Sequence, residues 1–114
     1  MLVRTDIPLA DQVVQVGHVC LEAGKRFDWS SQPCHLVLLA VASEAQLLTA
    51  VAQLQLANIA CELFYEPDDN LGYTAACTNP VAGEQRRFLR RYPLWRETAV
   101  NKSHLIRGPP GLFC

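Results

Sequence analysis

No run of apolar residues in this chain approaches the roughly 20 needed to cross a bilayer, although half of its residues are apolar. A membrane partner is therefore not expected. A basic stretch followed by an apolar segment and a cleavage site is also missing from the start, so no secretory signal is read and a cytoplasmic location is expected. Charged residues are scarce, at 18% of 114. So little charge beside so much apolar content argues against disorder and for one domain with a single core. No internal repeat, cofactor box or metal-ligand motif appears. The five cysteines, Cys20, Cys34, Cys61, Cys77 and Cys114, are separated by 14, 27, 16 and 37 residues. These spacings contain no C-x-x-C pair, and most of the cysteines lie in apolar stretches. Core thiols are therefore expected in preference to a zinc site, with no functional part for Cys114.

The net charge of −1 is unevenly spread. Residues 1–80 hold three Lys/Arg against nine Asp/Glu, and residues 81–114 hold seven against two. A basic end of this kind fits either a nucleic-acid-facing surface or a solvated helix face.

Leu2 to Arg4 is a short strand candidate, and Pro8 suits a helix start. From Leu9 to Ala23 the apolar residues Leu9, Val13, Val16, Cys20 and Ala23 recur at helical spacing, with Gly24 as the expected stop. On the same helix Asp11, Gln15, His18 and Glu22 form a polar stripe at three- and four-residue intervals. Cys34 to Val41 is an apolar run broken only by His35, as in a central strand buried on both faces. Ser43 and Gln46 have capping-box spacing ahead of a helix that Asn58 can end. Ile59 to Tyr65 alternates as a strand, followed by the acidic turn Glu66 to Gly72. Tyr73 to Thr78 is a fourth short strand, possible as an exposed edge through which two copies could pair as a homodimer. Val81 to Tyr92 is a third helix bearing Arg86, Arg87, Arg90 and Arg91, and beyond Trp95 an extended or partner-bound tail is expected. The order predicts an α/β fold, a four-stranded mixed sheet with helices on both faces.

Several of these motifs together resemble the type II peptidyl-tRNA hydrolase family. They are Leu2-Val3-Arg4-Thr5-Asp6, Gln15-Val16-Gly17-His18, the Ser43-Glu44 helix start, Gly72-Tyr73-Thr74, and Phe88 to Trp95. The last of these is most similar to the divergent peptidyl-tRNA-hydrolase-domain proteins. The resemblance covers residues 1–96, leaving 97–114 as a C-terminal extension. It implies the family's four-stranded mixed sheet between helices, tRNA as partner, no metal or other cofactor, and hydrolysis of the ester linking peptide to tRNA. Gln15, His18 and Thr74 would lie in the catalytic site. Glu66, or else Asp68 or Asp69, would answer to the family's acidic-turn Asp. For substrate contacts the candidates are Arg4, Asp6 and Asp11 at the strand–helix opening, and Arg86, Arg87 and Arg90 on the last helix.

One position departs from the family. Where the family carries a Lys four residues before the Gln, this chain has Asp11. A carboxylate repels the phosphate or developing negative charge that an ammonium attracts. Two functions follow as expectations: a metal-independent peptidyl-tRNA hydrolase, or an impaired or inactive relative that binds RNA or protein. A third reading makes His18 a packed helix residue bonded to Asp11 or Glu22.

Overall fold

The structure is a computed structural model that describes residues 1–30, 33–96 and 112–114. Its strands are β1 (Leu2–Arg4), β2 (Cys34–His35), β3 (Leu39–Val41), β4 (Cys61–Glu66), β5 (Gly72–Thr78) and β6 (Leu112–Phe113). Its helices are α1 (Leu9–Arg26), α2 (Glu44–Leu56) and α3 (Gly83–Phe88), the last continued by a 3-10 turn over Leu89–Arg91. The main sheet runs β3-β1-β5-β4, with β1 parallel to β3 and β5 antiparallel to both neighbours. It is a mixed α/β sheet, as expected.

Alternation along the strands sends side chains into two cores. On one face Leu2 and Ala76 pack with Leu47, Val51 and Leu54 of α2. On the other, Val3, Ala75 and Cys77 pack with Val19 and Ala23 of α1. The two long helices thus cover opposite faces. No helix among the described residues is long and apolar enough to cross a membrane.

Helix α2 starts where Ser43 Oγ accepts the Gln46 N–H at 3.1 Å, and Gln46 Oε1 accepts the Ala42 N–H at 2.9 Å. Asn58 follows it with φ of 60°, the left-handed conformation expected of a helix stop.

Other elements depart from the sequence expectation. The run from Cys34 to Val41 is not one strand. Its backbone changes partners midway: Val37 N–H reaches Cys114 O at 2.7 Å, whereas Leu39 N–H reaches Met1 O at 2.7 Å. Its first part, β2, pairs with β6 in a small parallel sheet, and its last part, β3, lies at the edge of the main sheet. Conversely, β5 is central and carries five consecutive buried residues, Thr74 to Thr78. It therefore has no free edge for pairing two copies.

Helix α1 passes Gly24 because Arg26 is anchored to β4, donating to Cys61 O at 2.6 Å and to Glu62 at 3.0 Å. The third helix begins only at Gly83, since Val81 exchanges two 3.0 Å backbone bonds with Phe113. The tail expectation for 97–111 lies outside the described residues. Residues 113 and 114, however, are buried in the fold.

Candidate functional site

The buried stripe of α1 is not the apolar series expected. Its buried residues are Gln12, Gln15, Val19 and Ala23, while Leu9 and Val13 point to solvent. Two amides can lie inward only if their polar atoms find partners, because an unmet buried amide costs about 1–3 kcal/mol. Both do. Gln12 Nε2 donates to Ile7 O at 2.8 Å, and its Oε1 accepts from Trp95 Nε1 at 2.7 Å. This pair fastens the start of α1 to the segment after α3.

Gln15, 2% exposed, is met by two strands. Thr74 Oγ1 donates to Gln15 Oε1 at 2.8 Å, and Gln15 Nε2 donates to Glu66 Oε2 at 3.2 Å. The direction is chemically determined: a carboxylate only accepts, so the NH2 of Gln15 must face Glu66 and its oxygen must take the hydroxyl. A β-bulge makes the arrangement possible. Phe64 pairs with Ala75 and Tyr65 with Tyr73, leaving Thr74 as the extra residue of β5. An extra residue breaks strict alternation and re-aims a side chain. Here it brings the Thr74 hydroxyl to α1, on the face shared with Ala75.

Glu66 closes the chain at the sheet's end. Its other oxygen accepts the Asp68 N–H at 3.2 Å. Hydrogen bonds from Gln15 first, then from the Asp68 backbone, with the nearby His18 ring adding a smaller effect, hold its carboxyl below the usual range. The group is therefore ionised at neutral pH and acts as an acceptor. His18 stacks on Phe64, centroids 4.8 Å apart and planes within 8°. Glu22 pairs instead with Lys25 at 3.2 Å. Among the described residues, no bond joins His18 to Asp11 or Glu22.

Arg4 and Asp6 form a bidentate pair at 2.9 and 3.0 Å. The remaining Arg4 nitrogen donates to Leu71 O and, at 3.1 Å, to Tyr73 O. These two residues brace the turn that carries Glu66, and the hydrogen bond from Arg4 lowers the Asp6 carboxyl pKa. The turn itself needs left-handed backbone at Asp69, Asn70 and Gly72, with φ of 54°, 55° and 75°. A Cβ at Gly72 would collide with the Glu44 carboxylate, which accepts the Tyr73 N–H at 2.7 Å.

The structure thus gathers Gln15, His18, Glu66 and Thr74 against the middle of α1, with Arg4 and Asp6 bonded to the turn. Asp68 and Asp69 are exposed, and Asp68 contributes its backbone N–H. Asp11 stands one helical turn before Gln15 and is half-buried.

The arginines of the last helix are elsewhere. Arg86 lies over the Phe113 ring at 3.5 Å, and with Arg90 it lines a cavity of about 620 Å³ that none of the four clustered residues borders. Arg87 is exposed. Sequence reasoning missed Gln12 and Phe64. Phe64 was legible only as the face of β4 opposite Leu63, and Gln12 carried no periodic mark.

Chemically, the cluster offers an anchored amide, an ionised carboxylate and an imidazole. Gln15 and Thr74 spend their polar atoms on each other and on Glu66, so they position. Glu66 and His18 keep capacity for a water or an ester. Comparison with protein-family models, curated proteins and solved structures found no match to this chain, so its own geometry and motifs are the basis for a function.

Proposed function

We propose that the chain is a metal-independent hydrolase of the ester bond in peptidyl-tRNA. The observation that carries this is the chain of contacts Thr74–Gln15–Glu66 with His18 beside it. It unites the four residues that the motif resemblance marks as catalytic. In the reading, ionised Glu66 orients a water, and His18, which can accept or donate a proton, serves the attack and the departing ribose oxygen. Gln15 and Thr74 fix the carboxylate. Arg86, Arg87 and Arg90 contact tRNA phosphate away from the reacting ester.

A single-turnover assay with excess protein and peptidyl-tRNA tests the proposal. Release of peptide by the wild type, reduced about 100-fold or more in His18→Ala, is the expected outcome. No release at high protein concentration defeats it.

Asp11 favours a second reading, a binding module without turnover. Its carboxylate lies one turn from Gln15, where it opposes anionic substrate. Retention of peptidyl-tRNA without hydrolysis is the outcome that selects this reading.

A further inference from the structure

The cavity of about 620 Å³ beside α3 has a wall of two chemical kinds. One is cationic. Arg86 and Arg90 stand four residues apart where α3 runs into its 3-10 turn, and both border the cavity. Like charges at that spacing repel, and the described residues of the wall include no Asp or Glu to offset them. The ion pairs among the described residues, Arg4–Asp6, Lys25–Glu22 and Arg26–Glu62, involve neither arginine. Met1 and Cys114 also border the cavity, but both are engaged by Val37. The Met1 amino group donates to Val37 O at 3.0 Å, and Cys114 O accepts the Val37 N–H at 2.7 Å.

The other kind is aromatic: Phe113, Trp95, Tyr92 and His35 share the wall. Trp95 Nε1 donates to Gln12 Oε1 and Tyr92 Oη to Gln53 Oε1, each at 2.7 Å. Neither glutamine borders the cavity, so these two rings offer it flat carbon surface. The Arg86 guanidinium lies 3.5 Å over the centre of Phe113, and the His35 ring is 5.5 Å from Phe113 on centroids. A guanidinium held on a ring face keeps its N–H edge for an acceptor. Leu36 and Leu94 of the same wall are apolar yet exposed, so the cavity opens to solvent past them.

We propose that this cavity binds a nucleotide with a terminal phosphate, the phosphate on Arg86 and Arg90 and the base on the aromatic wall. A phosphate monoester carries about −1.5 to −2 at neutral pH, which matches two guanidinium groups. A single carboxylate would offset only one of them. Arginine forks also take phosphate oxygens in pairs. Bases stack on aromatic rings and guanidinium planes, whereas an acyl chain gains nothing from a wall of rings. The volume falls within the range of about 300–1,000 Å³ usual for small-ligand sites. The same chemistry is present in a free mononucleotide and in a 5′-phosphorylated single-stranded RNA end. The site goes beyond the phosphate contact assigned above to the two arginines by adding the base. It needs no ester cleavage, and none of Gln15, His18, Glu66 or Thr74 borders it.

The test is calorimetric titration of the full chain, at one salt concentration, with AMP, adenosine, inorganic phosphate, octanoate and a 5′-phosphorylated oligoadenylate. AMP should bind one-to-one, about tenfold or more tighter than phosphate, adenosine or octanoate. Tighter binding of the oligoadenylate than of AMP assigns the site to RNA ends; equal or weaker binding assigns it to free nucleotides. Arg86→Met and Arg90→Met should each weaken AMP binding about tenfold, while Lys25→Met, outside the wall, should not. Arg86 covers Phe113, so the exposed Arg90 supplies the variant that leaves packing intact. Phosphate, adenosine or octanoate binding as tightly as AMP overturns the proposal. So does unchanged AMP affinity in Arg90→Met, or failure of both AMP and the oligoadenylate to bind.

Discussion

If Gln15 lies inward because Thr74 meets its oxygen, removing the two groups together should cost less than removing each alone. Thr74 is fully buried and Gln15 nearly so, and their bond is 2.8 Å long. Thr74→Val keeps the shape and deletes the donor, leaving Gln15 Oε1 without its partner away from water, a cost of about 1–3 kcal/mol. Gln15→Met deletes the amide and strands the Thr74 hydroxyl, at a cost of about the same order. In the double variant neither orphan exists. Its destabilisation should therefore fall short of the sum by about 1 kcal/mol or more, within the range of about 0.5–3 kcal/mol typical of contacting pairs. Urea unfolding at neutral pH, with all four proteins at one concentration, measures the cycle. Additivity within about 0.5 kcal/mol would refute the claim that the hydroxyl holds the amide, and with it the role assigned to the bulge.

Arg4→Met should destabilise by about 2 kcal/mol, because Asp6 and the carbonyls of Leu71 and Tyr73 lose their common donor; thermal unfolding measures this, and a neutral effect contradicts the bracing role. Gly72→Ala should also cost about 2 kcal/mol, since it combines a left-handed backbone with displacement of Glu44 from the Tyr73 N–H, and equal stability to wild type in urea would count against it. Asp6 and Glu66 both titrate below their ordinary values of 3.8 and 4.5 in the folded chain. Their stabilisation is complete above those values and is lost as pH falls through the lower native ones. Carboxyl NMR titration should show Glu66 moving upward in Gln15→Met and Asp6 moving upward in Arg4→Met; unchanged titrations refute the named causes.

The parts of the fold readable from sequence were those set by neighbours along the chain. Ser43 with Gln46 marks the start of α2 because a cap acts over three residues, and Asn58 marks its end because αL is a local property. What was hidden depended on distant partners. The residues of β5 are short and apolar wherever the strand sits; only pairing with β1 and β4 makes it central. The apolar run 34–41 carries no mark of where its hydrogen bonds pass from β6 to β1. The buried face of α1 was misread for a related reason. Glutamine is ordinarily a surface residue, and only Trp95, Thr74 and Glu66, far along the chain, permit two of them inside. Of the candidate cluster, Gln15, His18 and Thr74 were legible in the sequence, with Glu66 one of three acidic-turn choices; the bulge that presents Thr74 was not, since nothing local distinguishes an extra residue in a seven-residue strand.

The most direct test of the hydrolase reading compares the wild type with Asp11→Lys in single-turnover release of peptide from peptidyl-tRNA, at matched protein excess and salt. The Thr74–Gln15–Glu66 chain and His18 are intact in both, so both should hydrolyse the ester. The variant should be faster because it replaces a repelling carboxylate with an attracting ammonium. A wild type that releases no peptide contradicts the account, whatever the variant does.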